Sequence, residues 1–457
     1  MKRLDDIQSV FFVGIGGIGM SALARYFLSR GCRVAGYDRT PTDLTRALAD
    51  TGASILYEDE PARVADAEPD IVVYTPAIPP QNRILAMYRT TDAPLLKRSD
   101  VLGLVCEGNR NVCIAGTHGK TTVSTMTAHI LRHSGYGCNA FLGGIASNYG
   151  TNFWGDDRRL AVIEADEYDR SFLKLSPDIA VITAMDADHL DIYGTEEAMR
   201  DAFVQFSRRT RPDGLLIAHS RLPRLSDLRT PFSTYDLEDN GTDIHASSPV
   251  PRDGAYHYDV HAWGWTLRGL TLPMGGRHNV ENSLPAIAIA HHLGVSDDAI
   301  RMAIAAFQGV RRRFEFHMRA PGHAYIDDYA HHPEELRVLI EGVRDLYPGR
   351  RLTLVFQPHL FSRTRDFAAG FASSLDMADE VLLMPIYPAR EQPIPGVDAG
   401  IIAAGMRQSP VRIGEAGEVL RWLEQHPTEV LVTAGAGDID RLVGPIGRIM
   451  QQQAHGR

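Results

Sequence analysis

The chain has 457 residues, 44 % hydrophobic and 23 % charged, with a formal net charge of −10. These values fit a globular protein of two to four domains and argue against a general nucleic-acid binder. No run of about 18 apolar residues marks a membrane span, and none of the four cysteines forms a C-x-x-C pair that would suggest a zinc site.

The start, Met-Lys-Arg-Leu-Asp-Asp, lacks an apolar signal segment, so a cytoplasmic location is expected. The first predicted strand, Ser9–Gly14, runs through Gly14-Ile15-Gly16-Gly17-Ile18-Gly19 into a helix from about Met20 to Arg30. The cluster fits G-x-G-x-x-G. Asp38 follows the second strand, Arg33–Tyr37, where a dinucleotide site has its ribose-binding acid. Taken alone the motif says NAD. Its physics admits any nucleotide diphosphate, because glycines let the backbone approach two phosphates. A tight strand–helix turn without a ligand has the same pattern. A further strand is predicted at Ile71–Thr75, with helical patterns between, so a parallel sheet with crossover helices is expected. The polar run Glu107–Arg110 reads as a linker.

A second β/α series starts at Asn111, with strands predicted at Val112–Ala115, Leu160–Glu164, Ile179–Thr183 and Leu215–Ala218. The first runs into Gly116-Thr117-His118-Gly119-Lys120-Thr121-Thr122 and then a helix to Arg132. Backbone N–H groups of such a turn hold phosphate oxygens. Lys120 would reach the β/γ-phosphates, and the Thr121 hydroxyl would sit on Mg²⁺. The usual loop has its first glycine at the position of Ile114; here it is Gly116, so the loop is shorter. The next strand ends in Glu164-Ala165-Asp166-Glu167-Tyr168-Asp169. Crowded carboxylates repel unless a cation sits among them. Glu164 is the candidate metal ligand, in a Walker-B role. Asp166 and Asp169 also read as a solvated acidic loop. Met185–Leu190 brings in His189, either a structural hydrogen-bonder or a neutral imidazole ligand to a second Mg²⁺. The stretch 222–271 is expected to hold loops and small antiparallel strands. A helix is predicted at about Val280–Leu293; Arg277, His278, Asn279 and Asn282 open it, as caps or as partners of a nucleobase. Arg311-Arg312-Arg313 precede a Pro-Gly boundary near Arg319–His323, and an arginine at such a hinge can stabilise phosphate charge.

A third series has strands predicted at Ala324–Asp327, Leu352–Gln357, Glu380–Pro385 and Glu429–Thr433. The first ends in Asp327-Asp328-Tyr329-Ala330-His331-His332-Pro333. The second is followed by Pro358-His359-Leu360-Phe361-Ser362-Arg363-Thr364-Arg365. Both groups fall at carboxyl ends of strands, where open α/β sheets bind ligands. A solvated polar loop is the alternative for each.

Together these blocks resemble the Mur ligases of peptidoglycan synthesis. The matching stretches are Val13–Met20, Gly116–Thr122, Glu164–Asp169 with Ser171-Phe172-Leu173, Asp186–Asp191, Gly276–Asn279, Arg312-Arg313-Phe314, Asp327–Pro333, Gln357–Asp366 and Tyr387–Gly396. They extend over almost the whole chain in the family's order. The resemblance implies an α/β fold of three domains, each with a largely parallel sheet. A Rossmann-like domain over 1–107 would hold a UDP sugar. A P-loop ATPase domain would span 108–320, and a Rossmann-like amino-acid-binding domain 321–457. The implied reaction is ATP-dependent joining of L-alanine to the carboxylate of UDP-N-acetylmuramate (UDP-MurNAc) through an acyl phosphate, with Mg²⁺. The block from Gln357 and the Tyr387-Pro388-Ala389-Arg390-Glu391 run favour addition of L-alanine over recycling of a murein tripeptide.

By the same resemblance, Gly14, Gly16, Gly17 and Gly19 would cradle the UDP diphosphate, with Asp38 near the uridine and Thr75 and His118 in the same UDP-sugar site. Gly116, Thr117, His118, Gly119, Lys120, Thr121 and Thr122 would hold ATP. His278, Asn279 and Asn282 would lie near its adenine, and Arg313 and Asp328 near its phosphates or ribose. Thr121, Glu164 and His189 would form the Mg²⁺ shell, and Lys120, His189 and Arg313 would be catalytic. Tyr329, His331 and Arg363 would bind the amino acid. Leu360 stands where many members have arginine, which leaves Arg363 or Arg365 to hold the alanine carboxylate. UDP-MurNAc, L-alanine and ATP are the expected partners, and a monomer or weak homodimer the expected state.

Overall fold

Three sheets with β/α crossovers follow one another along the chain. The structure is a computed structural model that describes residues 3–65, 67–186, 189–389 and 391–455. The first sheet holds β1 (Ser9–Val13), β2 (Arg33–Tyr37), β3 (Ser54–Leu56), β4 (Ile71–Tyr74) and β5 (Leu95–Lys97). All are parallel, in the order β3-β2-β1-β4-β5. Val10, Phe11, Phe12 and Val13 are at most 2 % exposed, as a central strand covered on both faces requires. Strand order reverses at β1, so the first glycine loop opens at a topological switch point, where such sheets bind ligands.

The second sheet contains β6 (Arg110–Ala115), β7 (Asn139–Ala146), β8 (Thr151–Trp154), β9 (Leu160–Glu164), β10 (Ile179–Ile182), β11 (Leu215–His219), β12 (Ser233–Asp236) and β13 (Ile244–Ala246). Their order is β13-β12-β11-β10-β6-β9-β7-β8. β6 lies parallel between β9 and β10, which brings the loop after β6, Glu164 and Thr183 to one edge. β14 (Val250–Arg252), β15 (Ala255–Ala262) and β16 (Trp265–Leu272) follow; β15 pairs antiparallel with β13 and β14. β12 and β13 run parallel to β11, against the expectation of antiparallel strands there. Alternating burial reports a half-covered strand and carries no direction. The β7–β8 hairpin was not expected from the sequence.

The expected linker at Glu107–Arg110 is short. Only Gly108 and Asn109 separate the Arg98–Glu107 helix from β6, which begins at Arg110. The first two sheets also share one apolar cluster. Tyr26 of the Ile18–Ser29 helix packs on Phe141 and Phe153 of β7 and β8, with ring centroids 5.5 and 6.0 Å apart.

The third sheet holds β17 (Glu315–Ala320), β18 (His323–Asp328), β19 (Leu352–Phe356), β20 (Glu380–Leu383), β21 (Val411–Ile413) and β22 (Val430–Ala434), in the order β17-β18-β22-β19-β20-β21. Among the described strands of this sheet, only β17 is antiparallel to its neighbour. Pro321-Gly322, read from sequence as a boundary, is the turn of the β17–β18 hairpin. The third sheet therefore begins at Glu315, ahead of the expected position. By packing, the chain divides into two units, one of 1–248, 259–268 and 281–304, the other of 249–258, 269–280 and 305–457. Among the described residues no helix is long and apolar enough to cross a membrane.

Candidate active site

The loop after β6 is held from the end of β10. Thr183 Oγ1 donates to the Ala115 carbonyl at 3.1 Å and also to the His118 carbonyl. The Asp186 N–H donates to Thr117 Oγ1 at 3.1 Å. Gly119 has φ +80°, and a Cβ there would lie 2.6 Å from Asn282 Oδ1, so Asn282 sits against the loop. The Lys120–His133 helix starts at the next residue. Lys120 Nζ donates to the Gly116 carbonyl at 2.5 Å and to Glu167 Oε1 at 2.8 Å. Thr121 Oγ1 donates to Glu164 Oε1 at 3.0 Å, and the Gly143 N–H to Glu164 Oε2 at 2.9 Å.

Thr121 and Glu164 thus lie side by side, as the adjacent parallel strands dictate. A hydroxyl and a carboxylate are the hard oxygen donors that Mg²⁺ takes. His189, at φ +50°, places Nε2 3.8 Å from Glu167 Oε1, with its ring edge-on to Tyr168. Glu167 is the acid that sequence reasoning passed over. Its side chain is 2 % exposed. Burial pushes its carboxyl up, and the adjacent Lys120 ammonium opposes that shift. The available signal was its place in the carboxylate run, one turn of chain beyond Glu164. Of the 186–191 block, Ala187 and Asp188 lie outside the described residues. His118 has an exposed ring with Nε2 3.6 Å from Asp186.

At the first glycine loop, the N–H groups of Gly14 and Ile15 donate to the Tyr37 carbonyl at 2.7 and 3.0 Å. The Gly16 N–H donates to Asp38 Oδ2 at 2.8 Å. Asp38 therefore fastens the loop itself, a task the expectation of a uridine contact did not include. Beside it lies a cavity of about 380 Å³, lined by Gly17–Met20, Thr75–Ala77, Arg98, Phe141–Gly143, Glu164 and Asp166 among others. One cavity therefore joins the glycine loop of the first sheet to the acid beside Thr121.

The helix predicted from about Val280 starts at Arg277, so Arg277, His278 and Asn279 form its first turn. Asn279 is 3 % exposed, and its Nδ2 donates to the Gly275 carbonyl at 2.7 Å. This bond ties the first turn of the helix to the Gly275–Gly276 pair before it. In the second unit Arg312 is tied into the sheet. It donates to the Gly435 carbonyl, places Nε 3.3 Å from Asp327 Oδ2 and lies 5.1 Å from the Tyr329 ring centroid. Asp328 accepts from the N–H groups of Phe314 and Ala330, both at 2.7 Å. Burial pushes its carboxyl up to about 6, against those two N–H groups and the charge of Arg313.

His331 Nδ1 lies 2.9 Å from the Tyr329 carbonyl, and its ring meets that of His359 at 6.1 Å. His359 stacks on Tyr387. Burial and the nearby charges of Arg363 and His331 push the His359 imidazole down. Arg363 Nη1 is buried without a hydrogen-bond partner among the described residues. Arg365 instead pairs with Asp366 at 2.7 Å and is 53 % exposed. Of the two arginines left open by Leu360, Arg363 is the one whose charge acts on His359. Leu360 has φ +71° and precedes the Phe361–Leu375 helix. Arg390 lies outside the described residues.

Residues 9–110 match the family described as Mur ligase family, catalytic domain, and residues 114–290 the Mur ligase middle domain. Residues 312–439 match the family described as Mur ligase, glutamate ligase domain. The chain is 44 % identical over 456 residues to the UDP-N-acetylmuramate–L-alanine ligase of Phocaeicola vulgatus, an alignment covering 98 % of this chain and 100 % of that protein. The chain belongs to the Mur ligase family. A relative of the same name from Parabacteroides distasonis is 45 % identical over 98 % of this chain and 99 % of its own length. Among solved structures, the UDP-N-acetylmuramate-alanine ligase of Thermotoga maritima superposes with a TM-score of 0.80 at 28 % identity, covering 98 % of this chain and 100 % of that one. The murein peptide ligase of Psychrobacter arcticus shares the Mur ligase fold, with a TM-score of 0.65 at 23 % identity over 96 % of this chain and 98 % of its own. The third matched segment begins at residue 312, just ahead of β17, where the third sheet starts.

Proposed function

We propose that this Mur ligase joins L-alanine to the carboxylate of UDP-MurNAc, with ATP activating that carboxylate as an acyl phosphate. The observation that carries the reading is the cavity running from the Gly17–Met20 turn to Glu164. A substrate with a nucleotide diphosphate at one end and a carboxylate at the other can span both loops at once. Full-length relatives named for L-alanine support the choice of amino acid.

On this reading 1–107 holds the UDP sugar, 108–320 holds ATP, and the segment from the third sheet onward holds L-alanine. Gly116–Thr122 cradle the ATP phosphates, and Asn282 and His278 face the nucleotide. Thr121, Glu164 and His189 would hold Mg²⁺, which offsets charge on the transferring phosphoryl group when bound. Lys120 supplies a second positive charge there, and Glu167 holds it in place. Asp328 fixes the backbone that presents Arg313. Arg363 pairs with the alanine carboxylate through a guanidinium fork, flanked by Tyr329 and His331. ATP and nucleotide sugars are made in the cytoplasm, and the reading places the enzyme there.

The test is phosphate release by the full-length enzyme with ATP, Mg²⁺ and UDP-MurNAc, comparing L-alanine with the murein tripeptide. Release that depends on L-alanine is the expected result. Release only with the tripeptide, or none with either, would refute the reading.

A further inference from the structure

We infer that Arg98 is a diphosphate-binding residue of the cavity, and that Asp166 competes with the ligand for it. The inference rests on the nucleotide-sugar reading above. Arg98 opens the Arg98–Glu107 helix, directly after β5, at the ligand-binding edge of the first sheet. Its side chain is 20 % exposed and lines the cavity. Nη2 donates to Asp166 Oδ2 at 2.9 Å.

The same guanidinium lies on Gly19. A Cβ at residue 19 would come within 2.6 Å of Arg98 Nη1 and 3.3 Å of Cζ. The last glycine of the motif is thus fitted to an arginine, beyond any need of helix–strand packing. Gly19 lies in the first turn of the Ile18–Ser29 helix. The first-turn N–H groups of a helix have no partner within it, and with the helix dipole they favour an anion at such an end. Arg98 adds a full positive charge with a planar pair of donors, the geometry that matches phosphate oxygens.

Asp166 is a replaceable partner. It is 37 % exposed, and its other oxygen, Oδ1, accepts the Tyr168 N–H at 3.0 Å. The two segments are joined by other ion pairs that do not use Arg98. Lys97 Nζ lies 3.7 Å from Asp169 Oδ2, and Lys174 pairs with Asp100. A diphosphate on the glycine turn would draw Arg98 from Asp166 while those pairs keep the segments together.

Calorimetric titration of the full-length enzyme with UDP and with UDP-MurNAc tests this, using Arg98→Ala, Arg98→Lys and Asp166→Asn. Arg98→Ala should weaken UDP binding at least tenfold, and Arg98→Lys should fall between it and wild type. Asp166→Asn should bind UDP as tightly as wild type or more tightly, because it frees the arginine. A purely structural ion pair predicts the opposite pattern, with equal losses in Arg98→Ala and Asp166→Asn; that result would overturn the inference. So would unchanged UDP affinity in Arg98→Ala. A loss for UDP-MurNAc without a loss for UDP would assign Arg98 to the sugar or its carboxylate and overturn the diphosphate role. Wild-type enzyme that binds neither ligand would remove the nucleotide-sugar reading, and this inference with it.

Discussion

Lys120 Nζ lies 2.8 and 2.7 Å from the two carboxylate oxygens of Glu167, whose side chain is 2 % exposed. Removing either partner leaves the other charge poorly compensated in a largely dry setting. Two residues that share one contact act as a unit, and their losses do not add. Glu167→Gln keeps the volume and one acceptor but removes the negative charge that pairs with the ammonium. We expect it to lower turnover by about 10²-fold, and Lys120→Ala by at least as much. The double variant should be little worse than Lys120→Ala alone. Steady-state phosphate release checks this, with circular dichroism to confirm folding. Multiplicative losses would show that Glu167 acts apart from Lys120.

The parts of this site that were legible in the sequence are those set by neighbouring strands. β9 occupies Leu160–Glu164, as its short apolar run predicts, and it pairs parallel with β6. That pairing delivers Glu164 to Thr121 with no further information. The Lys120–Glu167 and Arg98–Asp166 contacts span 47 and 68 residues. Asp166 and Glu167 are followed by a turn in which Asp169 and Arg170 both take φ near +55°, a conformation uncommon for residues other than glycine. The β7–β8 hairpin was hidden for a related reason. Gly143, Gly144, Asn148 and Gly150 punctuate it like a loop. A Cβ at Gly143 would collide with the Glu164 carboxylate, so one of those glycines serves a close approach inside a strand.

Asp38 offers a second test. Its Oδ2 accepts the Gly16 N–H at 2.8 Å, a bond that an amide oxygen can replace. Asp38→Asn should therefore keep UDP affinity within about threefold of wild type. Asp38→Ala should lose about five- to tenfold, the scale of one hydrogen bond of roughly 1 kcal/mol. Equal losses in the two variants would show that the carboxylate charge itself contacts the nucleoside.

His129 should set part of the acid stability. It is 1 % exposed, with Nε2 2.8 Å from the Ala303 carbonyl and Nδ1 2.9 Å from the Tyr149 hydroxyl. Burial pushes its imidazole down to about 4. The unfolded chain takes up a proton near pH 6.5, and the folded chain only near 4. Stability from this group is complete above about pH 6.5 and is lost as pH falls toward 4. The loss is at most about 3 kcal/mol. His129→Phe removes the titration. Its urea midpoint should be lower than wild type at pH 7 but should fall less between pH 6.5 and 4.5. Parallel pH profiles for the two proteins would show that His129 is not the group responsible.

The alanine carboxylate needs a cation, and Leu360 supplies none. Arg363 Nη1 is buried and unpaired among the described residues, whereas Arg365 is committed to Asp366 near the surface. A buried donor without a partner is costly, and a ligand carboxylate would satisfy it. Arg363→Ala should raise the KM for L-alanine at least about tenfold, the scale of one lost charge-assisted bond. The KM for ATP should change much less, because the phosphate loop lies on another sheet. Arg363→Lys should recover only part of the loss, since an ammonium lacks the planar fork. Measuring KM for all three substrates in both variants separates these effects. An unchanged alanine KM in Arg363→Ala would move the carboxylate site elsewhere, with His331 the next residue to replace.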